Sequence, residues 1–505
     1  MEDRRPSPVV NAVAGTAAAL AGFAVSELAA LAVPEGAPLT ATADAVVRLS
    51  PGGLTRWAID AFGTANKTIL QVAIVVVLLA AGTLAGLAWR RRPWQGATVV
   101  AAFTAIAAAA ALSQSGATAL YAVPSLAGGA ATVLFLAFLI RSAVKDAEAK
   151  RLGDDRRTFL FAAIAVGLAS AGGALWARGE AGKRQVDAAR EELDLPAPSD
   201  PAPAVEGTDF GDVPGLSSYR TPNDDFYRID TAIRVPVIEA SDWTLTVRGM
   251  VDRELTLDFE DLLSRKLIER DITLCCVSNE VGGDLVGNAR WLGVPLSEIL
   301  DEAGVRPGAD QMVSRSKDGW TAGTPTEAVM DGRDAMLAVG MNGEPLPLEH
   351  GWPVRIVVPG LYGYVSATKW LTEIELTTFA KFDAYWIERD WGLPAPVKTS
   401  SRIDTPRRTA KSGTVAVAGV AWAQRRGIAK VEVRVDGGEW NTAELAETPS
   451  GDTWRLWKWA WNAEPGSHTL TVRATDTDGE VQTGEERGVI PDGATGWHTV
   501  TVEVD

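Results

Sequence analysis

The chain has 505 residues, with 64 acidic against 48 basic side chains and a formal charge of −16. Such acidity argues against a nucleic acid partner and serves the solubility of exposed domains. Two cysteines rule out a disulfide-rich scaffold, and the length suggests roughly three or more domains.

Up to about Trp176 the chain is rich in Ala, Val and Leu. Five segments are apolar enough to cross a bilayer, which takes about 20 residues. They are Val9–Val33, Ile69–Trp89, Ala97–Leu112, Leu120–Ile140 and Phe159–Trp176. Basic residues gather at Arg4 and Arg5 before the first, and at Arg90, Arg91 and Arg92 after the second. A third group, Arg141, Lys145, Lys150, Arg151, Arg156 and Arg157, separates the fourth from the fifth. Alternation puts all three groups on one side, and the positive-inside rule makes that side cytoplasmic. Everything after Ala177 is then extracytoplasmic, in a multi-pass protein of the cell membrane with a cytoplasmic N-terminus.

The spans carry no histidine, since His350, His468 and His498 all follow them, and no C-x-x-C-H sequence occurs. No haem is therefore expected. Glu27 is the one acidic or basic residue well inside a span, near enough to the interface to snorkel. The bundle reads as an anchor, with a quinone or another redox protein as the electron donor or acceptor docking on it.

Beyond the spans, Arg178–Arg190 is charged and helix-permissive, and Leu195–Pro203 reads as a semi-rigid linker. From about Ser217 short strands and helices alternate, an α+β pattern. A strand is predicted over Trp243–Val247, the start of a helix over Leu255–Leu263, a helix over Pro295–Ala303 and a short strand over Val354–Val358. After Lys398 the character changes. The β-rich runs Thr414–Val420, Lys430–Val435, Thr453–Trp461, Thr469–Ala474 and Thr499–Val504, with turns at Asp436-Gly437 and Asp478-Gly479, predict an immunoglobulin-like β-sandwich. Trp457, Trp459 and Trp461 should share one strand face and Trp454 the other. The expected organisation is a five-helix transmembrane domain over 1–178, a linker over 179–216, an α+β domain over 217–397 and the β-sandwich over 398–505.

Both cysteines lie in Thr273–Leu296, TLCCVSNEVGGDLVGNARWLGVPL. Adjacent cysteines can form only a strained vicinal bridge, and two thiols with no nearby histidine make a poor zinc site. Two readings remain. The pair is inert core, or one thiolate is a soft ligand to a metal whose other ligands come from a non-protein group.

The sequence TLxC-x-x-N followed by a Gly-rich turn and ARWLGVPL resembles the ligand segment of the sulfite oxidase family of molybdopterin enzymes. MNGEPLPLEHGWPVRIVVPG at Met341–Gly360, TKWL at Thr368–Leu371 and TPNDDFY at Thr221–Tyr227 extend the resemblance over about residues 217–505. It implies an α+β sulfite-oxidase-type domain in which molybdenum carries a pterin dithiolene, oxo ligands and the Cys276 thiolate. His350 and Arg355, at the H-G-W-P-V-R spacing, match the positions that hold the cofactor's phosphate, and Thr368 and Lys369 match the next contact. Asn223, Phe226, Tyr227 and Arg228 fall in the family's opening segment. Trp291, in A-R-W, and Trp391, where the family has tyrosine, would face the reacting centre with Cys276. The C-terminal domain in this family mediates dimerisation, so a homodimer is an expectation. Arg156-Arg157-Thr158-Phe159-Leu160 resembles a twin-arginine export signal, which fits a domain that must fold around its cofactor before crossing.

The substrate side departs from the family. Where arginines follow the ligand cysteine, this chain has Glu280 and Val281, and an indole cannot accept a proton as a phenol can. The expected reaction is two-electron oxygen-atom transfer on a small, uncharged S-oxide or N-oxide. The alternatives are a sulfite dehydrogenase whose anion is held by Arg315 or Arg389, and a surface binding module with no cofactor.

Overall fold

The computed structural model describes residues 7–62, 65–114, 117–149, 183–184, 186–211 and 213–505. The predicted span Phe159–Trp176 and the Arg156-Arg157 pair lie outside the described residues. The chain forms two compact units, Met1–Gln185 with Thr231–Val235, and Val186–Asp230 with Pro236–Asp505.

The first unit is helical: α1 Pro8–Ala29, α2 Pro38–Leu49, α3 Gly52–Phe62, α4 Asn66–Arg91, α5 Pro93–Leu112 and α6 Val123–Ala149. Among the described residues, four helical stretches are long and apolar enough to cross a membrane: α1, α4, α5 and Ala119–Ser142, which contains most of α6. The third begins four residues before the predicted Ala97, because Pro93 starts a helix well and Arg92 is extended. The connection after α1, to which the sequence assigned no element, forms α2 and α3.

Small residues build the packing. Gly15 of α1 lies against the backbone of Gly82 and Gly86 of α4, and Gly22 lies against Gly128 and Thr132 of α6. The Thr16 and Thr83 hydroxyls meet at 2.8 Å between α1 and α4. Large apolar side chains such as Val72, Val76, Leu84, Leu134 and Phe138 point outward. Small inside and large outside is the pattern of helices packed in lipid. Gly82→Leu would force a side chain into Ala19 and the Gly15 backbone, an overpacking worth about 1–3 kcal/mol or more. It should lower the thermal midpoint of the full chain in detergent, whereas Leu134→Ala, at a position 70% exposed, should not. Equal midpoints for the two variants would contradict this packing.

The second unit begins its regular structure with β1 Thr244–Gly249, β2 Leu255–Asp258, β3 Ile268–Cys275, β4 Val286–Pro295 and β5 Gln311–Ser316. It continues with β6 Thr321–Pro325, β7 Met336–Met341, β8 Glu344–Pro345, β9 Arg355–Val357 and β10 Leu371–Thr377. One sheet has the order β2-β1-β10-β5-β6. The other runs β3-β4-β7-β8, with β9 also on β7. The helix predicted from Leu255 starts only at Phe259. Leu255 and Leu257 alternate inward as a strand, and a capping box at Asp258 and Asp261 then opens the helix. The helix at Leu296–Ala303 ends on Gly304 in the left-handed conformation. The Leu195–Pro203 segment is no free spacer. Ser199 N–H donates to Leu267 O at 2.9 Å, and Glu269 N–H donates to Asp200 O at 2.9 Å, which lays the segment on β3.

The remaining strands are β11 Ser400–Thr405, β12 Thr409–Ala410, β13 Gly413–Trp422, β14 Ile428–Val435, β15 Asn441–Thr442, β16 Glu444–Leu445, β17 Arg455–Ala463, β18 Gly466–Asp476 and β19 His498–Val504. They form two sheets, β11-β13-β17-β16 and β12-β19-β18-β14-β15. Val417, Ala421, Trp457 and Trp461 from one meet Val431, Val433, Leu470, Val472 and Val502 from the other, the two-layer core of an Ig-like sandwich. Trp459 packs on the same core. Trp454 precedes β17, and its indole N–H donates to Tyr219 O at 2.8 Å.

Candidate active site

Residues from four segments meet at the end of the β3–β4 hairpin. Cys275 is the last residue of β3, paired with Val286, and Cys276 opens the connecting loop. Both thiols are buried. Burial pushes the Cys276 thiol above its ordinary value, and a hydrogen bond near Ser278 only partly offsets this. Burial therefore favours the protonated thiol over the thiolate.

The segment at 221–228 runs beside β4, held by Thr221 N–H donating to Asn288 O at 2.8 Å. Phe226 fills the space over Gly287 that any side chain there would occupy. Its ring meets Tyr227 at 5.2 Å, Trp291 at 5.8 Å and His350 at 5.5 Å. Asn223 accepts from the Asn342 side chain at 2.9 Å, and its carbonyl accepts from His350 Nε2–H at 2.9 Å. Burial holds His350 down to about 4, so the ring is neutral at pH 7. The Tyr227 phenol is raised by burial and by the nearby Cys276 and Cys275, against the pull of Arg355. It thus senses both the thiols and the guanidinium.

Arg355, the first residue of β9, is 5% exposed. Its Nη1 donates to His350 O at 3.1 Å and its Nη2 to Ala367 O at 3.4 Å. The guanidinium lies 4.9 Å over the Trp291 ring, and its Nε has no partner among the described residues. Burial lowers it to about 10. Lys369 reaches Asp230 at 2.8 Å and Glu349 O at 3.1 Å, and burial lowers it to about 8. Gly351, at φ +115°, lets Arg355 and Lys369 close together; an added Cβ would sit 3.0 Å from Arg355 Cβ and 3.1 Å from Lys369 Cβ. Thr368 bonds Ser314 at 2.6 Å beneath them. A buried guanidinium with an orphaned N–H and only carbonyls for company fits an anionic group such as the cofactor's phosphate.

The structure thus brings together Asn223, Phe226, Tyr227, His350, Arg355, Thr368 and Lys369. Arg228 is more exposed and pairs with Asp230 at 2.8 Å, so it reaches Lys369 only through that carboxylate. Trp291 is fully buried, and its N–H donates to Ile272 O at 3.1 Å. That makes it the floor under Arg355 rather than a wall open to substrate. Trp391 stands in a separate aromatic group, 5.7 Å from Tyr364 and 6.1 Å from Trp386. Tyr362 is a residue the sequence did not single out. Its phenol is raised by burial and by Cys275, and the only signal for it is its place just before the T-K-W motif.

Three sequence expectations about substrate charge change. Arg290, next to Trp291 on β4, clasps Asp271 at 2.9 and 2.8 Å with Arg220 on the same carboxylate. Arg315 pairs with Glu373 at 2.8 Å and Glu375 at 2.6 Å. Arg389 lies 3.8 Å over the Tyr385 ring and donates to Tyr385 O at 2.7 Å. Glu280 is exposed on the loop, so repulsion from it does not decide substrate charge.

A family profile described as oxidoreductase molybdopterin binding domain matches residues 232–386, and a bacterial Ig domain profile matches 400–472. The mitochondrial sulfite oxidase of Drosophila melanogaster is 31% identical over 293 residues, 47% of this chain and 50% of that protein. The uncharacterized oxidoreductase YuiH of Bacillus subtilis is 37% identical over 135 residues, 27% of this chain and 65% of that protein. The crystal structure of the sulfane dehydrogenase SoxCD from Paracoccus pantotrophus superposes with a TM-score of 0.51 at 25% identity, covering 57% of this chain and 84% of that one. The chain spans only 50–62% of the length of the first curated relatives it matches. Fold and site define a molybdopterin-binding oxidoreductase domain. Over that domain its sequence is similar to the sulfite oxidases.

The buried histidine gives a pH dependence. Free histidine titrates near 6.5 and folded His350 near 4, so between those values the unfolded chain binds the extra proton. Stability is full above that window and falls as pH drops through it, by about 2 kcal/mol from pH 7 to 5. In cofactor-free protein, His350→Gln should flatten the fall in thermal midpoint between pH 7 and 5. Parallel profiles for variant and parent would contradict the assignment.

Proposed function

We propose that the chain is a membrane-anchored, extracytoplasmic molybdopterin-dependent enzyme for two-electron oxygen-atom transfer on an uncharged S-oxide or N-oxide. The observation that carries the cofactor assignment is Arg355, buried with two carbonyls and no carboxylate partner among the described residues. When bound, the cofactor supplies the oxygen-atom and electron chemistry. Cys276 would be the protein's ligand to the metal, held as the thiolate. Arg355 and Lys369 would hold the cofactor's anionic end, and His350, neutral and fixed on Asn223 O, would orient it. Thr368 and Gly351 hold the two cations in register, and Trp291 supports Arg355 from below. Asn223, Phe226 and Tyr227 line the approach, with Arg228 acting through Asp230. Trp391 is the candidate contact on the substrate side.

The substrate class follows from charge. Arg290 and Arg315 are committed to carboxylates and Arg389 to Tyr385, leaving none of these three to hold a doubly charged anion. A sulfite dehydrogenase is the second reading, favoured by the sulfite oxidases among the relatives. Wild-type protein from a cofactor-competent host should hold one molybdenum and one pterin per chain. Cys276→Ser should lose the metal or all turnover. With an artificial donor, S-oxides or N-oxides should be reduced and sulfite oxidised poorly. Wild-type protein without molybdenum would refute the enzyme assignment, and efficient sulfite oxidation would replace the first reading with the second.

The four apolar helices and the basic clusters support a cytoplasmic N-terminus and an anchor in the cell membrane. A quinone or a redox protein would exchange electrons with the site, and the Ig-like domain would carry any homodimer contact. Arg156-Arg157 serves as the export signal in this scheme. Arg156→Lys with Arg157→Lys keeps the charge that sets topology but removes the guanidinium pair, so a reporter fused after residue 505 should stay inside the cell. A reporter exported at normal yield would exclude the twin-arginine route.

A further inference from the structure

The Ig-like domain grips the loop that begins with the ligand cysteine. That loop, 276–285, is closed on itself: Cys276 N–H donates to Leu285 O at 2.9 Å, and Asn279 N–H to Cys276 O at 3.0 Å. Asn279 Oδ1 accepts the Leu285 N–H at 2.8 Å. Two side chains of the sandwich then hold it from outside. Arg402 of β11, 4% exposed, donates through Nη1 to Gly283 O at 2.9 Å. The same guanidinium is fixed by Asp404 at 2.6 Å and Ser217 Oγ at 3.0 Å. The His498 ring of β19 lies flush on Gly282, at φ +78°, where any added Cβ would collide with it. His498 Nδ1 accepts the Ile403 N–H at 2.9 Å, so ring and guanidinium are registered on neighbouring residues of one strand. Just before the cysteines, Thr273 is held the same way. Its N–H donates to Asp452 O at 2.9 Å, its O accepts from Gln424 Nε2 at 3.1 Å, and its hydroxyl accepts the Trp454 N–H at 2.7 Å.

We propose that Arg402 and His498 are positioning residues for the metal-binding cysteine, so that the Ig-like domain completes the cofactor site by fixing the loop that presents the Cys276 thiol. The proposal rests on the cofactor assignment above, but the brace acts on backbone and can be read without the cofactor. Both residues act through Gly282 and Gly283 and need not touch the cofactor. A bond from a buried cation to the loop carbonyl is among the stronger kinds of hydrogen bond, and Gly282 admits the ring only because it has no side chain.

The test uses the full chain in detergent, first from a host lacking the cofactor. The rate at which iodoacetamide modifies Cys276, located by mass spectrometry, reports how often the loop opens. Arg402→Met should raise it about tenfold, the scale of one lost charge-assisted bond, and Arg402→Lys should raise it less. Gly282→Ala should also raise it, and His498→Ala added to Gly282→Ala should partly reverse the increase. In molybdenum-loaded protein, Arg402→Met should weaken the protein sulfur signal in X-ray absorption at the molybdenum edge. Unchanged alkylation in both Arg402→Met and Gly282→Ala would overturn the brace, as would increases that merely track a lowered thermal midpoint. Failure of the cofactor assignment shows separately, as wild-type protein that holds no molybdenum, while alkylation still decides the brace.

Discussion

A buried guanidinium facing carbonyls and an indole, with no carboxylate, carries a desolvation cost of several kcal/mol that its own surroundings do not return. Arg355 is in that position, and the structure around it is arranged to keep it there. Trp291 lies under its plane, the His350 and Ala367 carbonyls take its outer N–H groups, and Gly351 lets the chain fold tightly enough to bring Lys369 alongside. Asp230 balances Lys369 at 2.8 Å, but Arg355 has no carboxylate partner of its own among the described residues. The Nε–H of Arg355 meets no acceptor among the described residues, and this is the feature that the proposed cofactor assignment uses.

The parts of this site that depend on short spacing were legible in the chain. Cys276, His350, Arg355 and Lys369 sit in motifs whose residues stay neighbours after folding, so their grouping survives translation into space. Charge partners were harder. Arg290 stands in a sequence motif beside Trp291, but strand alternation sends the two side chains to opposite faces, and Asp271 on the next strand claims the arginine. Leu255–Asp258 had the composition of a helix start, yet its alternating leucines face a sheet and the helix waits for the Asp258 cap. The Pro-rich stretch at 195–203 read as a spacer because sequence gives no sign of the β3 edge on which its backbone bonds are made.

The distribution of arginine–carboxylate pairs shapes the chemistry as much as the cofactor pocket does. Burial would raise Asp271, but the guanidiniums of Arg290 and Arg220 outweigh it and hold the carboxyl below the usual range. Arg315 and Arg248 share Glu373 and Glu375 in the same manner. These clusters knit β-strands together, and each removes a cation from the set that could meet an anionic substrate. Arg290 and Arg315 are thereby committed to carboxylates, and Arg389 to the ring and carbonyl of Tyr385.

His498 stands more than two hundred residues downstream of Cys276. A ribosome that has just finished the β3–β4 hairpin has therefore produced the ligand cysteine but not the ring that steadies its loop. The pocket acquires its final shape only after the sandwich has been synthesised and has closed on β3. If Arg402 and His498 brace the loop as proposed, a chain that ends before β19 lacks the ring that packs on Gly282, and loading of the cofactor would follow the closing of the sandwich.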